Sequence, residues 1–133
     1  MKKKLSTMTE NEISFEIRGA IYEVYNTLGP GLLESVYETA LVTELRDIRR
    51  LKVEQQKHLD VLYKGTILPV DFRLDLLVED KVIVELKSVD EMKKVYFKQL
   101  TTYLKISDKH LGILVNFNCT DINKNIWRIA NNL

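Results

Sequence analysis

The stretch FRLDLLVEDKVIVELK, Phe72 to Lys87, decides how this chain is read. It holds two aliphatic runs, Phe72 to Val78 and Val82 to Lys87, parted only by Glu79, Asp80 and Lys81. Runs of this length rich in Val, Leu and Ile are strands, and so short a polar break joins antiparallel neighbours. A hairpin is expected. Within it Asp75 and Glu85 are flanked by aliphatics on both sides, where an unpaired charge is expensive. If the hairpin closes symmetrically about Asp80, the two carboxylates lie opposite each other with Cβ atoms on the order of 5 Å apart. A slip of one residue would send them to opposite faces. Like charges so placed repel, and a divalent cation would neutralise them, since carboxylate oxygens are the hard ligands that Mg²⁺ prefers. Lys87 follows Glu85 by two, so the strand period puts both side chains on one face. There the lysine could orient or help deprotonate a water and steady charge building on a phosphate. The competing reading of Glu85 and Lys87 is an ordinary ion pair in a sheet, and Asp75 opposite them weighs against it.

Upstream of the hairpin, Thr9 and Glu12 have the spacing of a capping box. Ile13, Ile17, Ala20, Ile21, Val24 and Leu28 then recur at helical period, predicting a helix over about residues 10 to 28. Gly29 is its left-handed stop and Pro30 bars continuation. A second helix is expected from near Gly31 to around Ile48, with Leu33, Tyr37, Leu41 and Leu45 in one stripe, packed antiparallel to the first. From Leu51 the pattern turns to short strands, with a turn at Tyr63, Lys64 and Gly65 and a further strand over Ile67 to Val70. Downstream, Ser88 and Glu91 offer another capping box, and Met92, Val95, Tyr96, Gln99, Leu100, Tyr103 and Leu104 mark a third helix. Leu111 to Phe117 reads as a buried strand, laid parallel to its neighbour by the helical crossover. The expected fold class is α/β, a mixed sheet flanked by helices, in the order α-α-β-β-β-β-α-β plus a C-terminal tail.

A chain of 133 residues with 45% hydrophobic content is long enough for one real core, so residues 1–133 are expected to form one domain. Nothing approaches the roughly 18 apolar residues of a membrane span, and the basic start has no apolar run behind it, so no membrane partner is expected and a cytoplasmic location is. With one cysteine, Cys119, there is no internal disulfide, and His58 and His110 alone supply no zinc-ligand set. Twenty Lys and Arg against nineteen Asp and Glu leave +1, so nucleic-acid binding must be local rather than a property of the whole surface. Small basic clusters read first as solvated faces and only secondarily as sites of such contact: Lys2 to Lys4; Arg49, Arg50 and Lys52; Lys93, Lys94 and Lys98.

Asp75 followed, after nine intervening residues, by Glu85-Leu86-Lys87 resembles the D-(x)n-(D/E)xK signature of the PD-(D/E)XK nuclease superfamily. Gln99 to Tyr103, QLTTY, looks like the QxxxY element that several nuclease branches carry on the following helix, where positions i and i+4 share a face. The stretch GPGLLESVY, Gly29 to Tyr37, is similar to the motif of the GxxExxY proteins, a branch of that superfamily, and Asn116-Phe117 fits the same pattern. The likeness spans roughly residues 12 to 117, with Leu74 standing where the superfamily's name records a proline. It implies a restriction-endonuclease-like core and a Mg²⁺-dependent nuclease, with Mn²⁺ as substitute, hydrolysing phosphodiester bonds in DNA. By the same implication Glu34 is a helical acid reaching the metal, Asp75 and Glu85 are direct ligands, Lys87 is the catalytic lysine, and Gln99 with Tyr103 complete the site.

The alternative is a catalytically silent module that keeps the nuclease scaffold for binding or assembly, since fold alone does not establish function. A homodimer stays open beside the monomer. Arg73 shares a strand face with Asp75 and could neutralise it or meet a phosphate, and Tyr37 reads as core packing and as support for Glu34. Trp127 is expected to pin the tail to the core, and Cys119 reads as a small buried or loop residue rather than a nucleophile.

Overall fold

A computed structural model describes residues 7–133; the cluster Lys2 to Lys4 lies outside the described residues. The order of elements is α1 (Glu10–Leu28), α2 (Glu34–Thr43), β1 (Val53–Leu59), β2 (Leu62–Tyr63), β3 (Thr66–Ile67), β4 (Phe72–Val78), β5 (Val82–Lys87), α3 (Lys94–Ser107), β6 (Leu111–Asn116) and β7 (Ile126–Ala130). Five strands form a mixed sheet in the order β1-β4-β5-β6-β7, with only β5 and β6 parallel; β2 and β3 make a separate small ribbon. This is the α/β arrangement the hairpin and crossover predict.

The first helix starts and stops as its sequence dictates. Thr9 and Glu12 exchange side-chain to backbone bonds of 2.8 and 3.1 Å. Gly29, at φ 69°, turns the chain out of the helix. Tyr37 then fastens the corner: its hydroxyl donates to the Gly29 carbonyl and accepts the Leu32 N–H, while its ring stacks on Phe117 with centroids 4.4 Å apart. The helix that follows begins at Glu34, later than its periodicity suggests, because Leu33 is an extended capping residue, 74% exposed and outside the apolar stripe. Past Thr43 it widens into a π-helical turn, Glu44–Ile48.

Two apolar layers sandwich the sheet. On one side Ile17, Ile21 and Leu41 pack on Val84, Leu86 and Val115; on the other Leu100 and Leu104 pack on Leu77, Ile83 and Leu114. The third helix comes so close to the sheet that a Cβ on Gly112 would lie 2.8 Å from the Leu100 side chain. It begins at Lys94 rather than at the expected Ser88–Glu91 box. Ser88 gives its hydroxyl to the Leu32 carbonyl at 2.6 Å, and the Asn116 amide bonds both backbone groups of Val89 at 3.0 and 3.1 Å, so the segment is held as a loop.

Two further boundaries differ from the sequence reading. The strand expected over Ile67 to Val70 ends at Ile67, since Pro69 has no N–H to lend a ladder. The C-terminal tail is mostly β7, antiparallel to β6, with Trp127 set edge-on against Phe97 at 5.2 Å.

Candidate active site

The hairpin closes about Asp80 as expected, pairing Val78 with Val82, Leu77 with Ile83 and Leu76 with Val84. Glu79 and Asp80 both have positive φ, 52° and 57°, the sign a type I′ turn requires, and the Lys81 N–H closes it on the Val78 carbonyl at 3.0 Å. The ladder stops one pair short of the acids. There the Asp75 N–H donates to Glu85 Oε2 at 2.8 Å, and the Leu86 N–H donates to Asp75 Oδ2 at 2.9 Å. Each carboxylate thus takes the place of a carbonyl on the opposite strand. Regular alternation breaks at the same point, for Leu74 packs in the layer under α3 while Leu76 packs in the layer under α1 and α2.

Glu34 comes from the first turn of α2, held near the strands by the bond between Ser88, next to Lys87, and Leu32, two residues before Glu34. The three acids feel one another. Glu85, buried, is pushed up to about 8, first by loss of solvent and then by the charge of Asp75, with Glu34 adding to it. Asp75 is raised chiefly by burial, against the lowering influence of the Leu86 N–H, and Glu34 is raised by burial and then by Asp75. Lys87 acts on all three in the opposite direction. Its ammonium pairs with none of them within 4.0 Å and lies over the Tyr96 ring, 4.4 Å from the centroid. Tyr103 faces the site from α3, its hydroxyl raised by burial and then by Glu85 and Asp75. So Glu34, Asp75, Glu85, Lys87 and Tyr103 are brought together. Gln99, one turn earlier on α3, is exposed and makes no hydrogen bond among the described residues.

Arg73 is occupied elsewhere: its Nε bonds both oxygens of Asp71 at 3.0 and 3.1 Å. Arg49 pairs with Glu44 and Glu16 against α1, which removes it from the basic cluster. Tyr37 supports the corner before Glu34 rather than the acid itself. Cys119 keeps a thiol that burial pushes up, a poor nucleophile.

Sequence reasoning missed Glu38, Gln55 and Gln56. Glu38 is 8% exposed and accepts from Gln55 Nε2 at 2.8 Å and Gln56 Nε2 at 3.0 and 3.1 Å, and Gln56 Nε2 also lies 3.4 Å from Asp75 Oδ1. The available signal was a second acid one helical turn after Glu34, beside Tyr37 and Leu41 on the apolar side.

Among the described residues, no group of three or more His, Cys, Asp and Glu side chains is placed to hold a metal ion, so Glu34, Asp75 and Glu85 do not converge as a ready three-ligand set. Glu85 Oε1 and both oxygens of Glu34 nevertheless accept no hydrogen bond from the described residues. Carboxylate oxygens of this kind are the ligand type a hard cation such as Mg²⁺ takes, one or two at a time beside waters and substrate phosphate.

A sheet opened by paired acids on a hairpin, with a lysine beside them and a tyrosine from the crossover helix, defines a nuclease-type scaffold. Residues 11–129 match the family model of the PD-(D/E)XK nuclease superfamily, and the chain belongs to that superfamily. No curated protein and no solved structure matches it. No helix among the described residues is long and apolar enough to cross a membrane.

Proposed function

We propose that this protein is a Mg²⁺-dependent nuclease of the GxxExxY branch, hydrolysing phosphodiester bonds, with DNA as the substrate class and Mn²⁺ as a working substitute. The observation that carries the reading is the pair of buried acids, Asp75 and Glu85, locked across two strands with Glu34 and Lys87 within electrostatic range. Glu34, Asp75 and Glu85 would hold the cation, whose contribution when bound is Lewis-acid polarisation of the phosphate. The backbone bonds hold one oxygen of each of Asp75 and Glu85 in advance, which reduces the reorganisation left for the chemical step. Lys87 orients the attacking water and faces the charge that develops on phosphorus-bound oxygens. Tyr103 keeps its proton at neutral pH and can donate to a phosphate oxygen, with Gln99 one turn away on the exposed face as a second donor. Lys94 and Lys98, exposed on the same helix, suit backbone contacts to a nucleic acid.

The test is cleavage. Purified protein should cut DNA with Mg²⁺ or Mn²⁺ and stop with chelator, and Glu85→Gln or Lys87→Met should slow it about 100-fold or more without unfolding the domain. Equal cleavage by both variants would overturn the assignment.

One observation favours a silent scaffold instead: Asp75 and Glu85 both serve the sheet as hydrogen-bond acceptors. Calorimetry separates the two readings, because a working site should take up Mn²⁺ in a saturable way that Asp75→Asn destroys.

A further inference from the structure

We propose that Gln56 is a positioning residue of the carboxylate site: its side-chain amide, anchored from behind by buried Glu38, clips Asp75 into a single orientation. The inference rests on the metal-site reading above and adds to it how one of the acids is held.

The backbone gives the first reason. The β1–β4 register pairs Gln55 with Leu76 and Lys57 with Leu74, which leaves Gln56 facing Asp75 outside the ladder. At that position Gln56 has φ 50°, a left-handed conformation costly to any residue with a Cβ and out of place within a strand. A kink of this kind persists only where its surroundings require it.

The side chains give the second. Glu38 is a buried carboxylate satisfied by amides alone, with no Lys or Arg within 4.0 Å among the described residues. An amide nitrogen carries two hydrogens. One can serve the two Glu38 oxygens at 3.0 and 3.1 Å, and the other Asp75 Oδ1 at 3.4 Å. A lysine placed there would neutralise Asp75 and compete with a cation for it. The amide orients the acid and leaves its charge in place, which is what a ligand-supporting group has to do.

Gln56→Met keeps the length and removes the amide; Gln56→Gly removes it and relieves the left-handed strain; Glu38→Gln removes the charge that anchors it. With Mn²⁺ alone as the calorimetric probe on the whole chain, each should weaken binding about 10-fold. The folding midpoints of Gln56→Met and Gln56→Gly should fall, because either change leaves the buried Glu38 carboxylate with the Gln55 amide alone, so binding and couplings are read where every variant is fully folded. In the metal-free protein, three-bond couplings about the Asp75 Cα–Cβ bond should report one rotamer in wild type and averaging in Gln56→Met. A merely structural tie between β1 and α2 would move the midpoint and leave these couplings alone. An Asp75 that keeps one rotamer in Gln56→Met overturns the inference whatever the affinity does, and so does averaging with wild-type affinity. If the wild-type protein takes up no Mn²⁺, the metal-site reading fails, and the couplings decide the clip by themselves. Should Glu38→Gln fail to fold, the two Gln56 variants carry the decision.

Discussion

The backbone N–H of Asp75 donates to Glu85 Oε2 at 2.8 Å, so a buried acid on one strand completes the hydrogen bonding of the acid-bearing strand beside it. Architecture and chemistry therefore draw on the same atoms. The predictions below separate the two.

Glu85 is pushed up to about 8 from an ordinary value of 4.5 by burial and by Asp75. Since the folded value exceeds the unfolded one, stability without metal is fully present below about pH 4.5 and is lost as pH rises toward 8. Asp75 and Glu34 shift in the same direction and add to the trend. Urea midpoints in chelator should fall across this window by on the order of a few kcal/mol, and Glu85→Gln should flatten much of the slope. A wild-type curve that rises with pH would mean the carboxyl is already ionised.

Tyr37→Phe keeps the ring stacked on Phe117 and removes both hydroxyl bonds to the corner at Gly29 and Leu32. The cost to stability should be about 1–2 kcal/mol. Cleavage measured where both proteins are fully folded should drop further, because that corner launches the helix bearing Glu34. Unchanged turnover would show that the corner does not set the position of the acid.

Gly112→Ala should destabilise the domain by about 1–3 kcal/mol, since the added methyl meets Cδ1 and Cγ of fully buried Leu100 at 2.8 and 2.9 Å. Thermal melts would detect this, and the double variant Gly112→Ala with Leu100→Ala should lose less stability than the two single losses added together. Full stability in the single variant would mean that α3 can lift off the sheet at little cost.

Asp80→Gly should stabilise the hairpin by up to about 1 kcal/mol, glycine being at ease at the φ of 57° that Asp80 must adopt. Only a 3.6 Å pair between Lys109 and an exposed Asp80 carboxylate is given up. A lower melting point would place more weight on that pair than its exposure allows.

Much of this was legible in the chain before folding. Three polar residues between two aliphatic runs leave the hairpin few ways to close, so a turn centred on Asp80 could be assumed, whereas the exchange of backbone bonds that replaces an Asp75–Glu85 ladder pair could not be foreseen. Thr9, Glu12 and Gly29 announce the ends of the first helix by local chemistry alone. Ser88 shows where such reading fails: its hydroxyl suits a helix cap, but the Leu32 carbonyl, distant in sequence, takes the bond. Gln56 and Glu38 were illegible for a related reason. A left-handed residue in mid-strand and a buried acid met by two amides acquire their meaning only when α2 lies over β1. Gln99 went the other way, since helical spacing put it beside Tyr103 without supplying a partner.

The end of the β4–β5 ladder at the two acids has a consequence for inheritance. A descendant that had given up cutting would still need both acids to cover the two exposed amides, so their survival in a lineage testifies to the shape of the sheet before it testifies to any reaction.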